Sequence, residues 1–533
     1  MKRQTFLKGS LILMFSAVVA KIFGAVFKIP LTNMLGGVGM GYFSCAYSLF
    51  MPVYALIVTG ISSAVARMTA ANAALGMYEN ARRIRRTGLL VFTAAGVPAS
   101  LLMIVLAKPF SIISSGSSEA ALAVAMIAPA VIFGCITATE RGYYEGMGNM
   151  CPTAFSQAAE GAVKVIAGLL MCSYVTKNSG VLMEYFPWVS DPRALGAAAG
   201  ILGVTISSVG AVVYFAVLQL FSGKPESSDA RVESRRSIAK RLVRDALPIG
   251  MSAVVTNLTA IIDMWTIIAC IRRSGAYSGV FQEVSDGEVP QFVYGSFAGI
   301  ALTVFNLVPS VTNMLGKGAL TSVAAARESG RSSDIERSSV QVLLTALVIS
   351  AAAAAGLAVL APDVLQLLFP RQSDETAICT GALRLLMPGM ICLCTVFPVF
   401  SMLQGIGRAD VPLKVMLGGT ALKFAGNVVL IPLMGLEGAA LSTSVCYGAI
   451  LLLSLRIYFR AAGINPGISP FVKVIYAGVM CFGVTYLVSG FTVGRSPLLR
   501  IALAAIFGGA AYIGTLWAAL GREFPDIRKK APD

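Results

Sequence analysis

Residues Tyr143–Lys164 read Y-Y-E-G-M-G-N-M-C-P-T-A-F-S-Q-A-A-E-G-A-V-K. Gly146, Gly148 and Asn149 permit a sharp turn, and Pro152 suits the first turn of a helix. The helix that follows is apolar except for Gln157, Glu160 and Lys164, and the last two stand four apart on one face. A second copy runs from Gln404 to Lys423, as Q-G-I-G-R-A-D-V-P-L-K-V-M-L-G-G-T-A-L-K. Gly146 to Lys164 and Gly405 to Lys423 are both 18 positions, and the copies are offset by 259. Two such blocks imply a chain built as two similar halves.

Working outward, the 533 residues are 56% hydrophobic and 13% charged, with a mean hydropathy of +0.77. Soluble domains carry about a quarter charged residues, so the expected class is an all-α polytopic membrane protein. Apolar runs of about 20 residues number fourteen, from 11–29 and 42–66 at the start to 413–433, 436–457, 471–489 and 498–520 at the end. Lys2, Arg3 and Lys8 before the first run resemble a signal peptide cut after Ala20, but apolar sequence continues to Ile29, which favours a retained first span.

Charge placement supports the count. With a cytoplasmic N-terminus, 29 of the 42 basic residues fall on inner segments and 10 on outer ones, as the positive-inside rule requires. Arg141 is counted there with the inner loops. The net charge of +16 thus reports topology, and the dispersed basic residues argue against nucleic acid. The expected organisation is a six-helix bundle over 1–222, a cytoplasmic basic linker over 223–245, a second bundle over 246–457, and two further helices with a cytoplasmic tail over 458–533. Both blocks fall between the fourth and fifth spans of their half, hence on one side of the membrane. The halves are then parallel repeats, which usually frame a central cavity and rock for alternating access.

Enzymatic chemistry finds no support. Histidine is absent, the ten cysteines are scattered, no metal-ligand spacing appears, and G-M-G-N is a turn rather than a nucleotide loop. No cofactor or metal is expected. Ionisable residues inside spans remain, each costing about 2.5–3.5 kcal/mol at the bilayer centre, so they usually face a cavity or a partner. Lys21 and Lys28 share one face of span 1, and Lys28 sits where its stem can snorkel. Arg67 closes span 2, as an interfacial anchor or a head-group contact. Glu160 and Lys164 either neutralise each other or face the cavity. Lys423 takes the place of Lys164 in the second half with Gly419 where Glu160 would be. Asp263 on span 7 is a candidate cation-coupling group. The lysines suit a phosphate or pyrophosphate head group.

The block Gly142–Lys164 resembles the signature of the polysaccharide-exporter and lipid-flippase branch of the multidrug/oligosaccharidyl-lipid/polysaccharide exporter superfamily. Within it, the stage V protein B group, related to the lipid II flippases, is the nearest pattern: a glycine-rich turn, N-M-x-P-T, then S-Q-x-x-E-x-x-x-[KR]. Gln404–Gly407, Lys423, Asn427 and Leu430–Ala440 carry it in the second half, with Asp263 and Arg272–Arg273 between. The resemblance implies a monomeric fourteen-helix flippase in the bacterial cytoplasmic membrane, both termini cytoplasmic. It would move an undecaprenyl-pyrophosphate-linked sugar or peptidoglycan precursor, with membrane lipids and a monovalent cation as further partners. In the lipid II flippases arginines of spans 1, 2 and 8 line the cavity; here Lys21 stands near the first place and Phe292–Leu315 holds no basic residue, so charge coordination differs. The last two spans would help form a groove for the lipid tail. The alternatives are a cation-coupled multidrug exporter of the same superfamily and a non-transporting cell-wall scaffold.

Overall fold

The two copies of the turn fold alike. In the first, the amides of Met147, Gly148 and Asn149 donate to the carbonyls of Tyr143, Glu145 and Tyr144. In the second, those of Ile406, Gly407 and Arg408 donate to Met402, Gln404 and Leu403, the same pattern shifted by 259. Gly148 and Gly407 have φ of 78° and 79°, which only glycine adopts without strain. Asn149 then caps the next helix through Oδ1, 3.2 Å from the Cys151 amide.

The computed structural model describes residues 6–221, 233–282, 284–328, 332–408 and 410–520. The helices are α1 Phe6–Tyr54, α2 Gly60–Ala74, α3 Tyr78–Ser115, α4 Ala121–Ile127, α5 Pro129–Gly146, α6 Cys151–Lys177, α7 Ser179–Tyr185, α8 Pro192–Phe221 and α9 Arg235–Ser274. There follow α10 Val289–Ser296, α11 Leu302–Phe305, α12 Leu307–Glu328, α13 Ser332–Leu368, α14 Ser373–Gly405, α15 Asp410–Met434, α16 Leu436–Ala462, α17 Ser469–Phe491 and α18 Pro497–Leu520. There is no strand among the described residues. Leu101, Leu102 and Val105 on α3 are among many large apolar side chains left exposed, which suits a lipid surround and not water. The chain is an all-α multi-pass membrane protein.

Among the described residues 12 helices are long and apolar enough to cross a bilayer, or up to 13 if the bent pair Val289–Phe305 and Leu307–Asn313 is one span. The expected number was fourteen. The difference begins at Val18–Ala74, a continuous run of 57 residues where the sequence placed two spans. Gly36 interrupts it with non-helical angles (φ 64°, ψ −174°), and its length suffices for two crossings of about 20 residues each.

The chain forms two compact units, one of residues 1–269 and 282–295, the other of 270–281 and 296–533. In the first unit, the core gathers Val58, Ile61, Val65, Ile84, Tyr144, Phe215, Ile238 and Leu242. Ile238 and Leu242 belong to the segment read as linker. Residues 223–232 lie outside the described residues, but from Arg235 the chain is already the first turns of α9. The Ser234 hydroxyl accepts from the Ser237 amide at 3.3 Å, and Arg241 pairs with Glu233 at 3.0 Å. Two apolar residues one turn apart make this basic stretch amphipathic, and its apolar edge enters the core.

The second unit repeats one motif of the first. In the first, α6 and α8 run antiparallel with Gly168 against Gly203. In the second, α15 and α16 run antiparallel with Gly426 against Ser442 and Gly419 against Ile450. A tight turn at Gly435, φ 59°, joins the latter pair, in keeping with the expected hairpin.

Candidate functional site

Small residues on α6 bring it against α1. Ser16 donates to the Ala154 carbonyl and to Gln157 Oε1, each at 3.0 Å. Phe23 fills the space a side chain at Gly161 would need, and Phe27 that at Gly168. Contact positions rise together along both helices, so α1 and α6 are parallel where they touch. Leu31 against Gly200 and Leu35 against Gly196 make α8 antiparallel to α1. This three-helix packing places Lys21, Lys164, Glu160 and Ser208 in one region of the first unit.

There, Lys21 is exposed and Lys164 half-buried. The charges acting on Lys164 are Glu160 and Lys21. Its Nζ lies 5.5 Å from the centre of the Phe27 ring, a cation–π contact that holds an ammonium without neutralising it. Glu160, for which the sequence left pairing with Lys164 open, is instead bound by Arg141. Arg141 Nη2 donates to Glu160 Oε2 at 2.7 Å and its Nε to Ser156 Oγ at 2.8 Å, with Ser208 Oγ 3.4 Å from Glu160 Oε1. The side chains of Arg141 and Glu160 are 14% and 27% exposed.

Arg141 is the residue that sequence reasoning missed, having been assigned to a loop. It lies within α5, which continues to Gly146. A signal did exist: Arg141 and Ser156 stand equally far from the middle of the Gly148–Asn149 turn, as partners across a helical hairpin do.

The other candidates have separate surroundings. Lys28 is half-buried on α1, and its carbonyl accepts from Thr32 at 2.8 Å. Arg67 forms an ion pair with Asp245, its own side chain 69% exposed. Such a pair contributes about 0–1 kcal/mol, so Arg67→Gln is expected to shift the thermal midpoint in detergent by no more than a few degrees. Asp263 on α9 is 3% exposed. Its neighbour Met264 accepts from Ser48 Oγ at 3.0 Å, and Trp265 Nε1 donates to Ser114 Oγ at 2.9 Å. Lys423 belongs to the second unit and is 2% exposed on α15, where its carbonyl accepts from Ser442 Oγ at 3.1 Å. The structure therefore joins Lys21, Lys164 and Glu160, adds Arg141, and sets Lys423 within the other unit.

A further buried pair lies in the first unit. Glu140 Oε1 accepts from Arg85 Nε at 2.9 Å and Gln219 Nε2 at 3.0 Å, and the Arg85 guanidinium stands 5.2 Å from the Tyr143 ring. It ties α3, α5 and α8 together. Among the described residues no three His, Cys, Asp or Glu side chains could hold a metal. In the second unit, α13, α17 and α18 enclose an apolar cleft of about 380 Å³ lined by Gly356, Leu360, Cys481, Ile501, Ala504 and Gly509, among others. Next to it Arg500 Nη1 pairs with Asp363 Oδ1 at 2.6 Å.

Comparison with known proteins places this geometry. The lipid II flippase MurJ of Bacillus subtilis (strain 168) is 24% identical over 556 residues, covering 98% of each chain. Stage V sporulation protein B of the same organism is 22% identical over 458 residues, 86% of this chain and 83% of that one. Among solved structures, lipid II flippase MurJ in an inward closed conformation superposes with a TM-score of 0.70 at 12% identity, covering 97% of this chain and 100% of that one. An inward-facing multidrug resistance MATE family transporter of the MOP superfamily gives 0.67 at 15% identity, covering 85% and 98%. These structures share the fold. The family model described as polysaccharide biosynthesis protein matches residues 6–321. With that match running over more than half of its residues, this chain belongs to the polysaccharide biosynthesis protein family, in the exporter and flippase branch of the multidrug/oligosaccharidyl-lipid/polysaccharide exporter superfamily.

Proposed function

We propose that the chain moves an undecaprenyl-pyrophosphate-linked oligosaccharide or peptidoglycan precursor across the bacterial cytoplasmic membrane by alternating access. The carrying observation is coverage. The multidrug transporter accounts for 85% of this chain while using 98% of its own, whereas the lipid II flippase accounts for 97% and 100%. The 12% of the chain by which they differ is the size of a pair of helices such as α17 and α18. Those helices help wall the apolar cleft, a surface suited to an isoprenoid chain. The same observation weighs against the multidrug exporter.

In this reading the chain crosses the membrane fourteen times, in two six-helix repeats over 1–222 and 246–457 joined through 223–245, with both termini cytoplasmic. Lys21 and Lys164 hold the pyrophosphate by charge-assisted hydrogen bonds. Lys28, Arg67 and Lys423 meet the head group at other stages of the cycle, and Asp263 couples to a monovalent cation. The working unit is a monomer. The test is identification, by mass spectrometry, of the lipid that co-purifies with the protein. An undecaprenyl-pyrophosphate-linked sugar is expected; bulk phospholipid alone, together with drug efflux in vesicles, would overturn the reading.

A further inference from the structure

We propose that Arg141 is a positioning residue that gives the Lys21–Lys164 region its selectivity for a doubly charged anion, by holding Glu160 away from Lys164. The inference rests on the head-group reading above and goes beyond it in naming what sets the charge.

Glu160 and Lys164 stand one turn apart on α6, with the acid on the N-terminal side. That order is the favourable one for an intrahelical ion pair. Left to the helix alone, Glu160 would neutralise Lys164, and within a membrane such a pair has little reason to open. Arg141 prevents it. Its Nη2 and Nε engage Glu160 and Ser156 together, at 2.7 and 2.8 Å. A planar guanidinium with two anchored donors is pre-organised for this in a way a flexible ammonium is not. Ser208 Oγ, from α8, approaches the other carboxylate oxygen at 3.4 Å. Lys164 turns to the Phe27 ring instead, with Glu160 still acting on it as an opposite charge and Lys21 as a like one.

Three cations then face one carboxylate, and that carboxylate is committed to Arg141. Lys21 and Lys164 are then two like charges beside a single carboxylate already bound by Arg141, an arrangement relieved by a ligand with two negative charges, one on each phosphate of a pyrophosphate diester. The second half lacks the device. The positions matching Arg141 and Glu160, offset by 259, are Phe400 and Gly419. The matching Lys423 is buried within the second unit. Discrimination by this Arg141–Glu160 device is therefore assigned to the first unit.

The test is binding of a farnesyl-pyrophosphoryl sugar, a diester with two negative charges, and of the matching farnesyl-phosphoryl sugar, a diester with one, to the purified full chain in detergent, scored as the ratio of the two affinities. The ratio does not depend on the folded fraction. The wild type is expected to prefer the pyrophosphate by about tenfold or more, and Arg141→Gln to lose most of that preference. Removing the freed carboxylate as well, in Arg141→Gln/Glu160→Gln, should restore the preference to within about threefold of wild type. Arg141→Lys should fall between. If Arg141 only braces the hairpin, the double variant will be no better than the single one, and the proposal fails. If Lys21→Ala and Lys164→Ala leave pyrophosphate binding unchanged, the head-group reading itself fails. Loss of binding in those two variants, with Arg141→Gln not rescued by Glu160→Gln, leaves the site standing and removes the role given to Arg141.

Discussion

Lys21→Ala combined with Lys164→Ala is expected to abolish growth of a strain that depends on this chain for precursor flipping, while folded protein accumulates at wild-type level. In the proposed reading each ammonium makes a charge-assisted contact worth about 1.5–3 kcal/mol to a phosphate. Losing both weakens head-group binding by at least about a hundredfold, given about 1.4 kcal/mol per tenfold. Folding should not suffer. Lys21 is exposed, and the ring contact of Lys164 with Phe27 leaves apolar packing behind when the charge is removed. Growth is read alongside protein abundance in the membrane and elution in size exclusion. Wild-type growth by the double variant at wild-type abundance would remove the lysines from the mechanism.

Gly203→Leu is expected to do the opposite, eliminating folded protein with no direct touch on the charged region. A Cβ at Gly203 would lie 2.3 Å from the Gly168 Cα and 2.4 Å from its nitrogen. Both atoms are backbone, so no rotamer change relieves the clash. Overpacking of a fitted interface costs about 1–3 kcal/mol, and more when backbone must move. Here α6 would have to leave α8, and with it the face that presents Lys164. Gly210, on the same helix, has nothing within 4 Å of its would-be Cβ. Gly210→Leu is therefore the matched control, expected to keep abundance and thermal midpoint unchanged. Equal melting curves for the two variants would refute the close-packed α6–α8 contact.

The two experiments address different layers of one arrangement. Close approach of α6 to α1 and α8 comes from glycine, and the charge pattern rides on it. The buried Glu140–Arg85–Gln219 cluster belongs with the first layer, since it joins α3, α5 and α8 with the Glu140 side chain 1% exposed. Breaking one member of such a pair leaves an uncompensated charge in the core, which makes it a brace and not a ligand site.

Much was legible in the residues themselves. Glycine at 148 and 407 and the shared spacing to Lys164 and Lys423 announced a repeated turn, because a left-handed turn demands glycine wherever it lies. Apolar length announced the membrane class, because a bilayer imposes about 20 residues on every crossing. The count of spans was less secure. Near Gly36 one helix follows another with a single interrupted residue, and hydropathy cannot tell a kink from a loop.

What only the tertiary structure decided was who holds which charge. Spacing along α6 favours Glu160 with Lys164, because a helix knows only its own neighbours three and four residues away. Arg141 comes from α5, folded back across the Asn149 turn, and the α8 serine at 208 joins it from a third helix. The same holds for Ile238 and Leu242, hidden in a basic stretch until the core of the first unit received them. Local rules set the helices, the turns and the membrane. The partner of a buried ion is chosen in three dimensions, because electrostatic attraction depends on distance through space and not along the chain.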